Sequence, residues 1–141
     1  MNVAFFLIPK QEVAFVFQHW TMRQVMEKME YHRYSAVPIL NKDGHYLGTI
    51  TEGDLLWKMK NTGNLDFQHT NVVSLQNVPL HSKYEAISVN SEIEEIVSTL
   101  LEQNFVPVVD DSGVFIGIIR RREVMQWLSK QNGNAMIQET D

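Results

Sequence analysis

Residues 35–56 read SAVPILNKDGHYLGTITEGDLL, and residues 104–125 read NFVPVVDDSGVFIGIIRRREVM. Laid over each other without gaps, Pro38, Gly44, Gly48 and Ile50 fall on Pro107, Gly113, Gly117 and Ile119, each 69 residues on. Matched prolines and glycines weigh more than matched valines. Proline fixes a backbone torsion, and glycine permits torsions closed to other residues. The chain therefore holds one supersecondary unit twice. Two such halves pack around a pseudo-twofold axis with equivalent clefts between them, and a ligand is to be sought there.

Each half places a Pro twelve residues before a helix-start signal. Pro9 leads to Thr21-Met22-Arg23-Gln24, and Pro79 leads to Ser91-Glu92-Ile93-Glu94. Both tetrads have the form of a capping box, in which a hydroxyl accepts from the N3 amide and the N3 side chain reaches back. Met22, Val25, Met26 and Met29 then recur at helical spacing, as do Ile93, Ile96, Val97 and Leu100. A Met-rich stripe can serve as an adaptable binding face, but its spacing alone is explained by a helix face buried in the core.

A short apolar strand holding the Pro follows in each half, Ala36–Leu40 and Phe105–Val109. Asp and Gly at Asn41–Gly44 and Asp110–Gly113 predict hairpin turns into second strands, Tyr46–Ile50 and Val114–Ile119. Second helices start near Gly53 and Arg122 and carry Leu55, Leu56 and Met59, or Val124, Met125 and Leu128. Each half is thus β-α-β-β-α. Residues 1–69 form the first repeat with its connector, polar from Asn61 to Asn77, and residues 70–129 the second. Residues 130–141 lack a period and are expected to be a flexible tail.

With 141 residues, the chain has the size of one domain or of two small repeats sharing a core. It is 44% hydrophobic and 21% charged, an ordinary globular composition. The absence of Cys excludes disulfides and thiolate metal sites. A net charge of −5 argues against nucleic acid as the main partner. The opening MNVAFFLIPKQEV lacks both a basic leader and a long apolar run, so neither a signal peptide nor a membrane span is read there. It suits a core strand or a dimer contact, and the expected compartment is the cytoplasm.

The pattern resembles the CBS domain pair, or Bateman module, over roughly residues 6–128. The β-α-β-β-α repeat carries the resemblance, together with Ser35-Ala36-Val37-Pro38 and the G-x-x-T-x-x-D run from Gly48 through Thr51 to Asp54. It implies an α+β fold of two tandem CBS repeats packed with pseudo-twofold symmetry. It also implies adenosyl ligands: AMP, ADP or ATP first, with cyclic di-AMP, S-adenosylmethionine and NAD ranked behind. Each cleft in the family is composite. One would join Ala14, Ser35 and Ala36 to the turn of Arg120, Arg121, Arg122 and Glu123. The other would join Asn104, Phe105 and Val106 to Thr51 and Asp54.

The residue chemistry suits such roles. An ionised Asp54 is acceptor-only and can take two ribose hydroxyls. Thr51 at a strand-to-helix turn lies where free amides favour phosphate. A helix cap alone would explain the same Thr-x-x-Asp spacing, and the two roles are compatible. The second repeat departs from the pattern: Arg120 replaces the Thr and adds a fork of donors suited to phosphate, and Glu123 stands one methylene further out. The Arg run is read either as solvated surface or as a hold on a polyphosphate or cyclic dinucleotide. Some stand-alone CBS proteins that bind cyclic di-AMP have a similar Arg pair at this turn, and they tend to have Lys on the opening strand where this chain has Glu12. Phe105, in place of the small Ala36, would stack on a base or fill its space.

The five His have no spacing that puts two on one helix face, so a metal is not expected. No nucleophile elbow, P-loop or dinucleotide fingerprint is present. The expectation is a stand-alone regulatory module rather than an enzyme, needing no cofactor. It would form a homodimer, bind an adenine nucleotide and act in trans on an effector protein. The alternative is a ligand-free interaction scaffold with degenerate clefts.

Overall fold

The hairpin glycines set the pattern of both sheets. Gly44 and Gly113 sit at φ 86° and 83°, a left-handed conformation that costs glycine little. They let β3 (Ala36–Leu40) turn back antiparallel into β4 (Tyr46–Thr51), and β6 (Phe105–Val109) into β7 (Phe115–Arg120). Asn41 Oδ1 and Asp110 Oδ1 each accept backbone N–H groups across their turn, at 2.8–3.0 Å. Each hairpin carries an irregularity at the same place, between Ile39 and Leu40 and between Val108 and Val109. The computed structural model describes residues 1–140, with side chains through residue 133.

Sheet order is β2-β3-β4 in the first half and β1-β7-β6-β5 in the second. β2 (Val16–Phe17) and β5 (Ile87–Ser88) run parallel to their neighbours, in registers that pair Val16 with Ile39 and Ile87 with Val108. Such parallel pairs need a crossover. α1 (Met22–His32) supplies it in the first half, and α3 (Val97–Glu102) in the second. α2 (Glu52–Asn61) and α4 (Arg121–Thr140) follow the last strands. The repeat is therefore β-α-β-β-α twice. The additional strand β1 (Ile8–Pro9) pairs antiparallel with β7 of the other half, so the chain's first residues belong to the second core.

Two sequence expectations need correction. At the second helix start the Glu92 amide donates to Glu95 Oε2 at 3.1 Å, and the expected Ser91–Glu94 box is not formed. The Ser91 amide is held by the Ser88 carbonyl, which starts the helical turn one residue later. That turn, Ile93–Glu95, is a 3-10 helix that precedes the short α3. Leu56 is exposed, because the buried face of α2 passes through Leu55 and Asp54. The helical backbone of α4 continues through Thr140, past the last periodic residue, Leu128. The expected tail falls largely on residues 134–141, whose side chains lie outside the described set.

Each half has its own core. Val16, Met22, Val25, Val37 and Ile50 centre the first; Val3, Ile93, Ile96, Leu100, Val106 and Ile119 centre the second. The Met stripe of α1 faces the first core through Met22 and Met29. Among the described residues no helix is long and apolar enough to cross a membrane.

Candidate functional site

The strands that bear the duplicated prolines begin beside the pseudo-twofold axis. Their first residues, Ser35-Ala36 and Asn104-Phe105, face a shared cleft of about 310 Å³. Glu12, Val13 and Ala14 form one wall ahead of β2, and Arg33 and Tyr34 come from the end of α1. Ile118 and Arg120 come from β7. Ala14 and Ala36 keep the floor open, because neither projects beyond a methyl group.

Arg33 reaches the cleft because α1 ends there. It adopts a left-handed conformation (φ 59°), and its amide donates to the carbonyls of Glu30 and Met29. That closure aims Tyr34 and Ser35 out of the helix and into the cleft wall. The ring of Tyr34 stacks on His32 at 5.3 Å. The cleft thus combines flat apolar surface with two guanidinium groups and one carboxylate. Donor forks of that kind suit phosphate, and strand-end backbone groups suit the edge of a base.

The cleft gathers Ala14, Ser35, Ala36 and Arg120 from one of the two groups that the CBS resemblance implies, and Asn104 and Phe105 from the other. The strand starts of both repeats meet at the axis, and this brings the two groups together. Six candidates lie outside the cleft lining. Val106 is fully buried in the second core. Arg121 Nε donates to the Leu100 carbonyl, satisfying the end of α3. Arg122 is exposed on α4. Glu123 engages the Arg120 guanidinium through both carboxylate oxygens, so it steers that side chain.

Thr51 and Asp54 form a complete capping box. The Asp54 amide donates to Thr51 Oγ1 at 3.2 Å, and the Thr51 amide donates to Asp54 Oδ2 at 2.9 Å. The second carboxylate oxygen, Oδ1, accepts from the His81 amide at 2.8 Å. Asp54 is 1% exposed, and both its oxygens are committed to backbone.

Beside it, the chain from Leu80 to Glu85, which extends the connector past Asn77 to β5, crosses the position equivalent to the open cleft. Tyr46 Oη donates to the Tyr84 carbonyl at 2.9 Å, and the Thr49 hydroxyl lies 2.7 Å away on its other side. Burial pushes the Tyr46 phenol up to about 12, against a smaller opposing effect of the Thr49 hydrogen bond. Glu12, Val13, Arg33, Tyr34, Pro38 and Ile118 were not singled out as cleft lining from the sequence. Pro38 lies on the strand that the repeat locates; the others reach the cleft through a helix end, an irregular wall and a cross-repeat strand, none of which has a local signature. Among the described residues no three His, Asp or Glu side chains converge as a metal site.

The CBS domain family matches the sequence at residues 7–61 and 77–130. The chain belongs to the CBS domain family. It is a tandem CBS pair, and such pairs are generally regulatory modules. An uncharacterised protein of Methanopyrus kandleri is 27% identical over 106 residues, which make up 75% of this chain and 53% of that protein. The chain thus spans about half the length of that curated relative. The CBS fold is shared with CbpB in complex with c-di-AMP, at a TM-score of 0.85 and 22% identity over 98% of this chain and 91% of that one. It is shared also with CBSX2 in complex with AMP, at a TM-score of 0.73 and 21% identity over 93% of this chain and 98% of that one.

Proposed function

We propose that this CBS pair is a regulatory module that binds one adenine nucleotide in the cleft between Ala14, Ser35, Ala36, Asn104, Phe105 and Arg120, and acts in trans on a partner protein. One observation carries the reading: strand starts from both repeats converge with two Arg on a cleft of about 310 Å³. That volume lies within the roughly 300–1,000 Å³ of small-molecule sites. Backbone groups around Ala14 and Ala36 meet the adenine edge, and the Ser35 hydroxyl and Glu12 carboxylate accept from ribose. Arg33 and Arg120 hold phosphate, the latter steered by Glu123 and close to the N-terminus of α4, where the helix dipole favours an anion. A ligand touching both repeats favours the state in which they are held together, which is how occupancy reaches a partner.

AMP, ADP and ATP are the first candidates. The bound AMP of CBSX2 supports a mononucleotide, and the c-di-AMP of CbpB keeps a cyclic dinucleotide second. S-adenosylmethionine and NAD rank behind. A homodimer in the cytoplasm is the form in which we expect the module to act. The second reading is a ligand-free scaffold. It is favoured by the Arg120–Glu123 pair, which satisfies the guanidinium without a phosphate.

Thermal unfolding with each nucleotide separates the two readings. A ligand that binds only the folded state stabilises it by about 2.7 kcal/mol at a hundred times its Kd. We expect at least one adenine nucleotide to raise the midpoint, and Arg120→Ala to remove most of that rise. No shift at millimolar concentration with any of these nucleotides refutes the nucleotide reading.

A further inference from the structure

The two clefts can be matched residue by residue. Val16 pairs with Ile39 and Ile87 pairs with Val108, and Ile39 and Val108 are equivalent positions of the repeat. Ile87 therefore stands for Val16. Three residues earlier, Tyr84 stands for Val13, and Glu85 for Ala14. The open cleft is framed by Val13, Ala14, Ser35 and Ala36. Its counterpart is framed by Tyr84, Glu85, Asn104 and Phe105, with a large ring where the first cleft is small.

That ring is pinned in place. It lies on Phe105 with ring centroids 5.1 Å apart, and its hydroxyl donates to Asn104 Oδ1 at 3.0 Å. The backbone on either side is tied to the same walls. Tyr46 holds the Tyr84 carbonyl, Gln103 Oε1 accepts from the Glu85 amide at 3.0 Å, and Asp54 accepts from the His81 amide. Leu80 packs over Gly48 so closely that a Cβ there would stand 3.0 Å from its methyl group. Burial raises the Tyr84 phenol pKa, with Arg121 lowering it and Asp54 raising it by smaller amounts. Acceptor, amide and aromatic surface that a ligand would use are all taken by one stretch of the chain.

We propose that the connector Leu80–Glu85 is a built-in occupant of the second cleft: the Tyr84 ring stands where a base would stack, so the chain takes one nucleotide, and truncating Tyr84 uncovers a latent aromatic site. The stoichiometry rests on the nucleotide reading above; the latent aromatic site does not. Deleting the Tyr84 ring uncovers the face of Phe105 on which it now lies, a surface where a small aromatic molecule can stack.

The test compares wild type with Tyr84→Ala, Tyr84→Phe and Tyr84→Val, the last carrying the residue of the first cleft in case the Ala variant does not fold. Calorimetric titration with AMP reads stoichiometry, and ligand-observed NMR with indole reads the uncovered Phe105 face. One AMP per chain is expected in wild type and Tyr84→Phe, and two in Tyr84→Ala or Tyr84→Val, with indole binding only in the latter pair. Two AMP per wild-type chain overturns the proposal. So does one AMP per chain in a folded truncated variant. If no form binds AMP, the nucleotide reading has failed. Indole then decides: uptake by the truncated variants alone supports the built-in occupant, and no uptake overturns it.

Discussion

Thr51–Asp54 and Arg120–Glu123 stand at the same place in the two repeats, each ending a strand and starting a helix, yet they do opposite things. The first turns inward: both Asp54 oxygens accept backbone amides, one from its own helix start and one from the connector. The second turns outward, with Arg120 and Glu123 paired across the helix start in solvent. The backbone hydrogen bonds are the same in both, since Glu52 N donates to Ser35 O at 3.0 Å and Arg121 N to Asn104 O at 2.9 Å. One frame therefore supports a structural turn that helps close a cleft and a charged turn that borders an open one. A shared motif position does not imply a shared role.

The comparison breaks most readily at the matched glycines. Gly48 and Gly117 both sit at φ 157°, but a Cβ on Gly117 would stand 2.1 Å from the Ile8 carbonyl oxygen. On Gly48 it would meet only the movable end of Leu80. Gly117→Ala should cost about 3–5 kcal/mol by forcing β1 off β7, and Gly48→Ala about 1–2 kcal/mol, both read from urea unfolding. Equal costs would mean that β1 does not lie against Gly117.

Removing the acid of each turn comes next. Asp54→Ala leaves the Thr51 and His81 amides without their acceptor, and should cost about 2–4 kcal/mol. Glu123→Ala removes a solvent-exposed pair and should cost under about 1 kcal/mol. Calorimetric unfolding of both variants checks the ratio; comparable losses would contradict the inward and outward assignment.

A smaller effect marks the closed side. The Tyr46 pKa rises from 10.0 to about 12 on folding, so its neutral form is the one the fold favours. That contribution is fully present below pH 10 and fades as the pH climbs toward 12. It amounts to about 2 kcal/mol of lost stability across that window. Tyr46→Phe should lower stability at neutral pH by about 1 kcal/mol, through loss of the bonds to Thr49 and Tyr84, and flatten the alkaline decline. Denaturant titrations at pH 8 and above read both effects; an unchanged alkaline slope would locate the titration elsewhere. The smallest effect is expected at Arg122, exposed on α4, where Arg122→Ala should change stability by less than about 0.5 kcal/mol.

Much of the architecture was legible in local chemistry. Pro and Gly spacing, the Asn41 and Asp110 turns and the Thr21 cap act within a few residues, and all appear where their types predict. The cap at Glu92 was displaced by one residue because a backbone bond from Ser91, invisible in the residue pattern, set the start. The candidate site was legible only in part. Ser35, Ala36 and Arg120 lie on strands whose ends the repeat locates. Arg33 and Tyr34 enter through a left-handed helix end, and Glu12 through an irregular wall.

That two like halves exist, where their strands turn, and that their chemistry differs at Thr51 against Arg120 and Ala36 against Phe105 can all be read from residue types alone. Those properties follow from torsional limits and side-chain type, which each residue carries with it. Which cleft stays open depends on long-range packing. Asp54 is a ribose-ready acceptor on paper, but in the fold a connector amide 27 positions away reaches it first. Tyr84 belongs to no motif, yet it fills the hollow opposite Phe105. Whether a polar group serves a ligand or the chain depends on what backbone arrives beside it, and that is settled by packing across the pseudo-twofold axis.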